Sequence, residues 1–143
     1  MRVKKRMRKG RGFSLIEVLV GITLVAIALV GLAELFTLSV MNNLRSSEIT
    51  NATFLAQQEV DYLRTMLGTE LGVLPATADE QLDLNGDGTI DFRRITQVQN
   101  AGSYFTIRVL VFPPSELTTT LTQLTANPDQ HRVKARINTM VSR

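Results

Sequence analysis

The chain has 143 residues, 44% hydrophobic and 20% charged, which bounds it at one globular domain plus appendages. It has no cysteine, so a structural disulfide, a thiolate nucleophile and a cysteine-based zinc or iron–sulfur site are excluded. The net charge of +3 does not argue for nucleic-acid binding, because seven of the 16 basic residues (Arg2, Lys4, Lys5, Arg6, Arg8, Lys9 and Arg11) fall in the first eleven, and beyond Gly12 nine basic residues face 13 acidic ones, a net of −4.

After this basic stretch comes Gly12-Phe13-Ser14-Leu15-Ile16-Glu17, and then an apolar run. Residues 18–33 are apolar, Gly or Thr without exception. A basic flank ahead of an apolar run keeps the N-terminus cytoplasmic and sends the rest of the chain across the membrane. Phe13 to Ala33 makes about 31 Å of helix, which matches a hydrocarbon core of about 30 Å. Gly21 and Gly31 lower helix propensity, but a bilayer forces backbone hydrogen bonds inward and overrides that. Glu17 is the odd residue, since a lone carboxylate in lipid is costly unless paired or protonated. One reading lets it snorkel to the headgroups. The other gives it a cationic partner, the α-amine of Phe13, created by a cut after Gly12. Phe13 and Glu17 are four residues apart on one helix face. The sequence leaves open whether such a pair forms within one chain or between neighbours.

Lys9-Gly10-Arg11-Gly12-Phe13-Ser14-Leu15-Ile16-Glu17-Val18-Leu19-Val20 resembles the N-terminal processing motif of type IV pilins and of type II secretion pseudopilins. The likeness covers roughly residues 9–38. It implies a prepilin peptidase that cuts after Gly12 and methylates the new N-terminus at Phe13. It also implies that Glu17 neutralises the amine of a neighbouring subunit during assembly. The implied partners are prepilin peptidase, other pilin subunits and the inner membrane. The implied course is a single-pass membrane protein with a cytoplasmic leader and a periplasmic C-terminus, later part of a pilus or pseudopilus. A basic segment plus an apolar run also describes an ordinary signal peptide. Ala26-Ile27-Ala28 satisfies its small-x-small rule and would release a chain starting at Leu29. That site lies inside the apolar run, and the cut leaves Glu17 unexplained.

The resulting organisation is a cleaved leader (1–12), a membrane or filament-core helix (13–38), an amphipathic helix (39–74) and a β-rich head (75–143). Leu38, Met41, Leu44, Ile49, Ala52, Leu55, Ala56, Val60, Leu63, Met66 and Leu67 recur at spacings of three to five, a single buried stripe. Gly68, Gly72 and Pro75 mark its end. A continuous helix from Phe13 to Leu67 would be roughly 80 Å long, and pilin-like proteins resemble this arrangement. Glu34 reads as an interfacial residue. The chain has no proline between Phe13 and Leu74, whereas many major pilins carry one in this helix. With the absent cysteines, that favours a minor pilin or pseudopilin. Asn51 to Arg64 resembles the second helical half of PilV-type minor pilins and their type II secretion counterparts.

In the head, strands are expected at 90–98, 104–112 and 133–141. Asn100 to Ser103 is a hairpin connection, and Pro113-Pro114 ends the second strand. In that strand Phe105, Ile107, Val109 and Val111 face one way and Thr106, Arg108 and Leu110 the other. An antiparallel sheet with one face on the amphipathic helix follows, an α+β fold. Residues 115–130 read as a long loop, with Leu117, Leu121 and Leu124 in a short helix.

One segment resembles a metal loop. Asp83 to Asp91 matches D-x-N-x-D-G-x-I-D, a calcium-loop pattern. Oxygen ligands would come from Asp83, Asn85, Asp87, the Thr89 carbonyl and Asp91 through water, with Ile90 entering the sheet. Asp79 or Glu80 would complete the shell. Arg94 stands at the twelfth position, where an EF-hand needs glutamate. The alternative is an Asx/Gly turn ahead of a strand. His131, the single histidine, reads as a surface residue with no identifiable partner, and Glu59 and Asp61 read as solvated. No catalytic constellation appears, so no enzyme is expected. The expected function is a minor type IV pilin or a pseudopilin of type II secretion or DNA uptake. The alternative of another class is a soluble exported calcium-binding module.

Overall fold

The structure, a computed structural model, describes residues 12–142. Residues 1–11 of the expected leader lie outside the described residues, as does Arg143. The chain divides into two compact units between Asn43 and Leu44. Helix α1, Leu15–Thr65, contributes to both.

The first unit is helical from Leu15 onward, and every residue described in it is exposed. α1 is long and apolar enough to cross a membrane. Two of its hydroxyls are satisfied within the helix: Thr23 Oγ1 donates to the Leu19 carbonyl at 2.9 Å and Thr37 Oγ1 to the Ala33 carbonyl at 3.0 Å. An apolar solvent therefore meets no unpaired hydroxyl on these two side chains.

The second unit contains the rest of α1, the single-turn helix α2 (Gly68–Leu71), strands β1 (Thr77–Leu82), β2 (Phe92–Asn100) and β3 (Tyr104–Phe112), a 3-10 turn at Pro114–Glu116, helix α3 (Leu121–Ala126) and strand β4 (Ala135–Ser142). The strands form one antiparallel sheet in the order β1-β2-β3-β4. With the helix, this is the α+β arrangement expected from the sequence. Ala52, Leu55, Ala56, Val60 and Leu63 of α1 pack with Leu71 on Phe92, Val98, Phe105, Ile107, Val109 and Val111. Their spacing puts the five helix residues on one stripe. Burying each Val, Leu or Phe there contributes about 1.5–3 kcal/mol.

Several expectations are corrected. The buried stripe is shorter than read: Leu38, Met41, Leu44, Ile49 and Leu67 are exposed. Sheet cover begins only at Ala52. The sheet is also covered on both faces rather than one. Ile95, Leu110 and Phe112 form a second core with Leu124 of α3, flanked by Leu121 and Val133. Leu110, assigned to the open face, is therefore fully buried. β3 has the bounds expected. β2 starts two residues late, because Asp91 N–H bonds the Leu82 carbonyl and keeps Ile90 and Asp91 in the loop. β4 likewise starts at Ala135 rather than Val133. β1 was not foreseen. The hairpin between β2 and β3 turns at Gly102, whose φ of +90° suits glycine.

Candidate functional site

Gly12, Phe13 and Ser14 precede the helix and are exposed. Ser14 supplies the first carbonyl, accepting from Glu17 N at 3.0 Å and Val18 N at 3.2 Å. Glu17 is thus a first-turn acid, where the helix dipole favours negative charge. Gly12, Phe13, Ser14 and Glu17 line one open recess. Phe13 is 80% exposed. A Cβ placed on Gly12 would meet nothing within 4 Å. Gly12 and Phe13 are therefore exposed ahead of the helix, and the Glu17 carboxylate is without an ion-pair partner among the described residues.

The Asp83–Asp91 loop closes on its own amides. Asp83 Oδ1 accepts from Asn85 N at 3.2 Å and Gly86 N at 2.7 Å, and its Oδ2 accepts from Gly88 N at 2.8 Å. Asn85 Oδ1 accepts from Asp87 N. Asp87 Oδ1 accepts from Thr89 N at 2.7 Å and Oδ2 from Asn85 Nδ2 at 2.9 Å. These bonds, led by the Thr89 amide, hold the Asp87 carboxyl below the ordinary carboxylate range. Asp91 Oδ2 reaches back to Leu84 N. Gly86 and Gly88 have φ of +72° and +85°, which a Cβ would resist. Among the described residues no three His, Cys, Asp or Glu side chains gather as a metal site. An oxygen shell here would have to draw on Asn85 and on backbone carbonyls.

Asp79 and Glu80, expected as further ligands, are committed elsewhere. Asp79 receives both Nε and Nη2 of buried Arg93, at 2.9 and 2.7 Å. Arg93 Nη1 also donates to the carbonyls of Glu116, at 2.8 Å, Leu117, at 3.3 Å, and Thr119, at 2.6 Å. The hydrogen bonds that Arg93 donates to Asp79 hold its carboxyl below the ordinary range. Arg94 Nη2 bridges Glu80 at 2.5 Å and Glu59 at 2.9 Å. Glu59 is therefore not solvated as expected. Its burial raises the carboxyl above the ordinary range against the pull of Arg94. His131 also has a partner: its Nδ1 lies 3.0 Å from Glu116 Oε2. All these pairs join residues far apart in sequence, so no local pattern announces them.

One family matches the chain, described as the prokaryotic N-terminal methylation motif, over residues 7–33. No curated protein and no solved structure matches it.

Proposed function

We propose that this chain, whose residues 7–33 carry the prepilin-type methylation motif of type IV pilins and pseudopilins, is a minor pilin or pseudopilin, a filament subunit without catalysis of its own. The motif marks it as a pilin-like substrate of prepilin peptidase and points to a structural subunit that assembles with other pilins. Within the proposal, the enzyme cuts after Gly12 and methylates Phe13. The chain waits in the inner membrane as a single-pass protein with its head in the periplasm. Glu17 then meets the Phe13 amine of a neighbour and fixes axial register. The observation that carries this reading is the pairing of an exposed Gly12–Phe13 bond with a Glu17 that has no ion-pair partner among the described residues, in the first turn of an apolar helix.

Gly12 supports the role of an external reader. Among the described residues nothing requires a glycine there, since the space around it is open. Gly12→Leu should leave the head's thermal unfolding unchanged while uncut precursor accumulates on co-expression with prepilin peptidase. Normal processing of that variant would remove the proposed cleavage site. The missing proline between Phe13 and Leu74 supports a minor rather than a major subunit. Pilus biogenesis, type II secretion and DNA uptake use the same chemistry, and genomic neighbours separate them.

Calcium in the Asp83–Asp91 loop is a second part of the proposal. Its support is Asp83, which three loop amides orient while both glycines hold left-handed turns. Asp83, Asn85, Asp87, the Thr89 carbonyl and Asp91 would supply the oxygens, as hard cations require. Calorimetry on the detergent-solubilised chain should give calcium heat that Asp87→Ala abolishes. An athermal wild type, with an unchanged melting curve in calcium and in chelator, would end the idea.

A further inference from the structure

We infer that the head carries a built site for the phosphates of anionic phospholipid, formed by Arg45, Arg132 and Lys134. This inference rests on the membrane-anchored reading above. The three cations line one cavity of about 550 Å³ with Ile49 and Val133. The nearby acids are already taken: Glu48 pairs with Lys134 at 2.7 Å and Asp129 pairs with Arg136. Arg45 and Arg132 have no ion-pair partner among the described residues. They leave an excess of two positive charges at this surface.

Arg132 is also held in an unusual backbone state. It has a φ of +53°, the only positive φ outside glycine among the described residues. For a residue with a Cβ that conformation is strained. The surrounding turn enforces it. His131 N and Val133 N both bond the Pro128 carbonyl, and Lys134 N bonds the Val111 carbonyl at 2.8 Å. The effect is an exposed guanidinium beside a half-buried valine, over the aliphatic side chain of Ile49 on α1.

The choice of partner follows from sequence position and chemistry. Arg45 lies seven residues beyond Leu38, the end of the segment assigned to the membrane or filament core, about 10 Å along a helix and about one Debye length at 0.1 M salt. A cation that close to the end of a spanning segment meets the headgroup layer. Arginine's planar fork suits phosphate oxygens, and an anionic surface attracts each such residue. The apolar floor of Ile49 and Val133 suits an interface that is part hydrocarbon and part charge. A carboxylate on a second copy is the competing occupant.

The absence of cysteine allows a clean test. Gln130→Cys, on the exposed turn beside Arg132, takes a fluorophore in the full chain. The protein is reconstituted in phosphatidylcholine vesicles with and without phosphatidylglycerol, each bearing a headgroup-linked quencher. Quenching should be at least about twofold stronger in the anionic vesicles. It should fall to the neutral-lipid level when salt rises from about 0.1 M to about 1 M, which shortens the Debye length from about 10 Å to about 3 Å. Arg45→Gln with Arg132→Asn should abolish the difference, asparagine being chosen because it tolerates positive φ. Equal quenching in both lipids would overturn the inference, and so would a double variant that keeps the anionic preference. Quenching that follows protein density rather than lipid charge would assign the cavity to a second copy and also overturn it. Vesicle flotation separates the two readings: a chain that floats but shows no lipid-charge effect defeats this inference alone, whereas a chain that fails to float defeats the anchored reading beneath it.

Discussion

Arg93 makes five side-chain hydrogen bonds in the head. It is buried, it holds Asp79 through two hydrogen bonds, and it collects three carbonyls from residues 116–119. Arg93→Ala strips partners from all of them at once. The Asp79 side chain is 34% exposed, so water screens part of its loss, and a drop of about 1.5–3 kcal/mol, the range for hydrogen bonds to a charged group, is expected in denaturant unfolding. The same pair sets an acid limit. Asp79 is held below its ordinary range, so it contributes stability above its unfolded pKa of about 3.9 and loses it as pH falls through the folded value. Asp79→Asn should therefore be less stable than wild type at pH 7, and the gap should close below about pH 4 in thermal melts. A gap independent of pH would show that charge is not the cause. Glu59 has the opposite sign, because its raised carboxyl favours the protonated fold. At this scale the sequence was legible only where residues are close along the chain. Gly12, Phe13 and Glu17 announce themselves within six positions. Asp79 with Arg93, and Glu59 with Arg94, are joined only by folding.

At the scale of elements, legibility followed the strength of the apolar pattern. β3 was readable to its ends because Phe105, Ile107, Val109 and Val111 alternate without a break. β1, Thr-Ala-Asp-Glu-Gln-Leu, has apolar side chains only at Ala78 and Leu82. It is an edge strand fixed by register with β2 and by the Asp79 and Glu80 ion pairs. Nothing in six such residues says strand without the partner in view. Alternation alone places Leu110 on the open face, because the covering helix α3 lies in a Thr-rich stretch whose pattern is weak. The packing of α1 gives a direct test. Ala52 and Ala56 are fully buried and small, letting the helix approach the sheet. Ala56→Leu should overfill that contact and cost about 1–3 kcal/mol, read from the denaturation midpoint. Phe54→Ala, on an exposed position of the same helix, should cost far less, since surface changes usually stay within about 0.5 kcal/mol.

At the scale of the whole molecule, an apolar helical segment and a folded α+β head serve different surroundings. The head is held by its own two cores. The helical stretch before it buries none of its described residues within the chain, so its apolar surface needs lipid or other subunits. In the proposed reading, Glu17 distinguishes assembly from mere anchoring. Glu17→Ala removes a charge that lipid disfavours, so membrane insertion should be kept. Incorporation into filaments should fall at least about tenfold, as the loss of a desolvated charge pair worth a few kcal/mol implies. Normal incorporation would take the assembly role from Glu17. Everything in this account begins with the cut that exposes an amine opposite that carboxylate. The most direct measurement is N-terminal mass spectrometry of the exported chain made beside prepilin peptidase. The account predicts a mature protein beginning with N-methylated Phe13; a chain beginning at Leu29, or one still carrying residues 1–12, would contradict it.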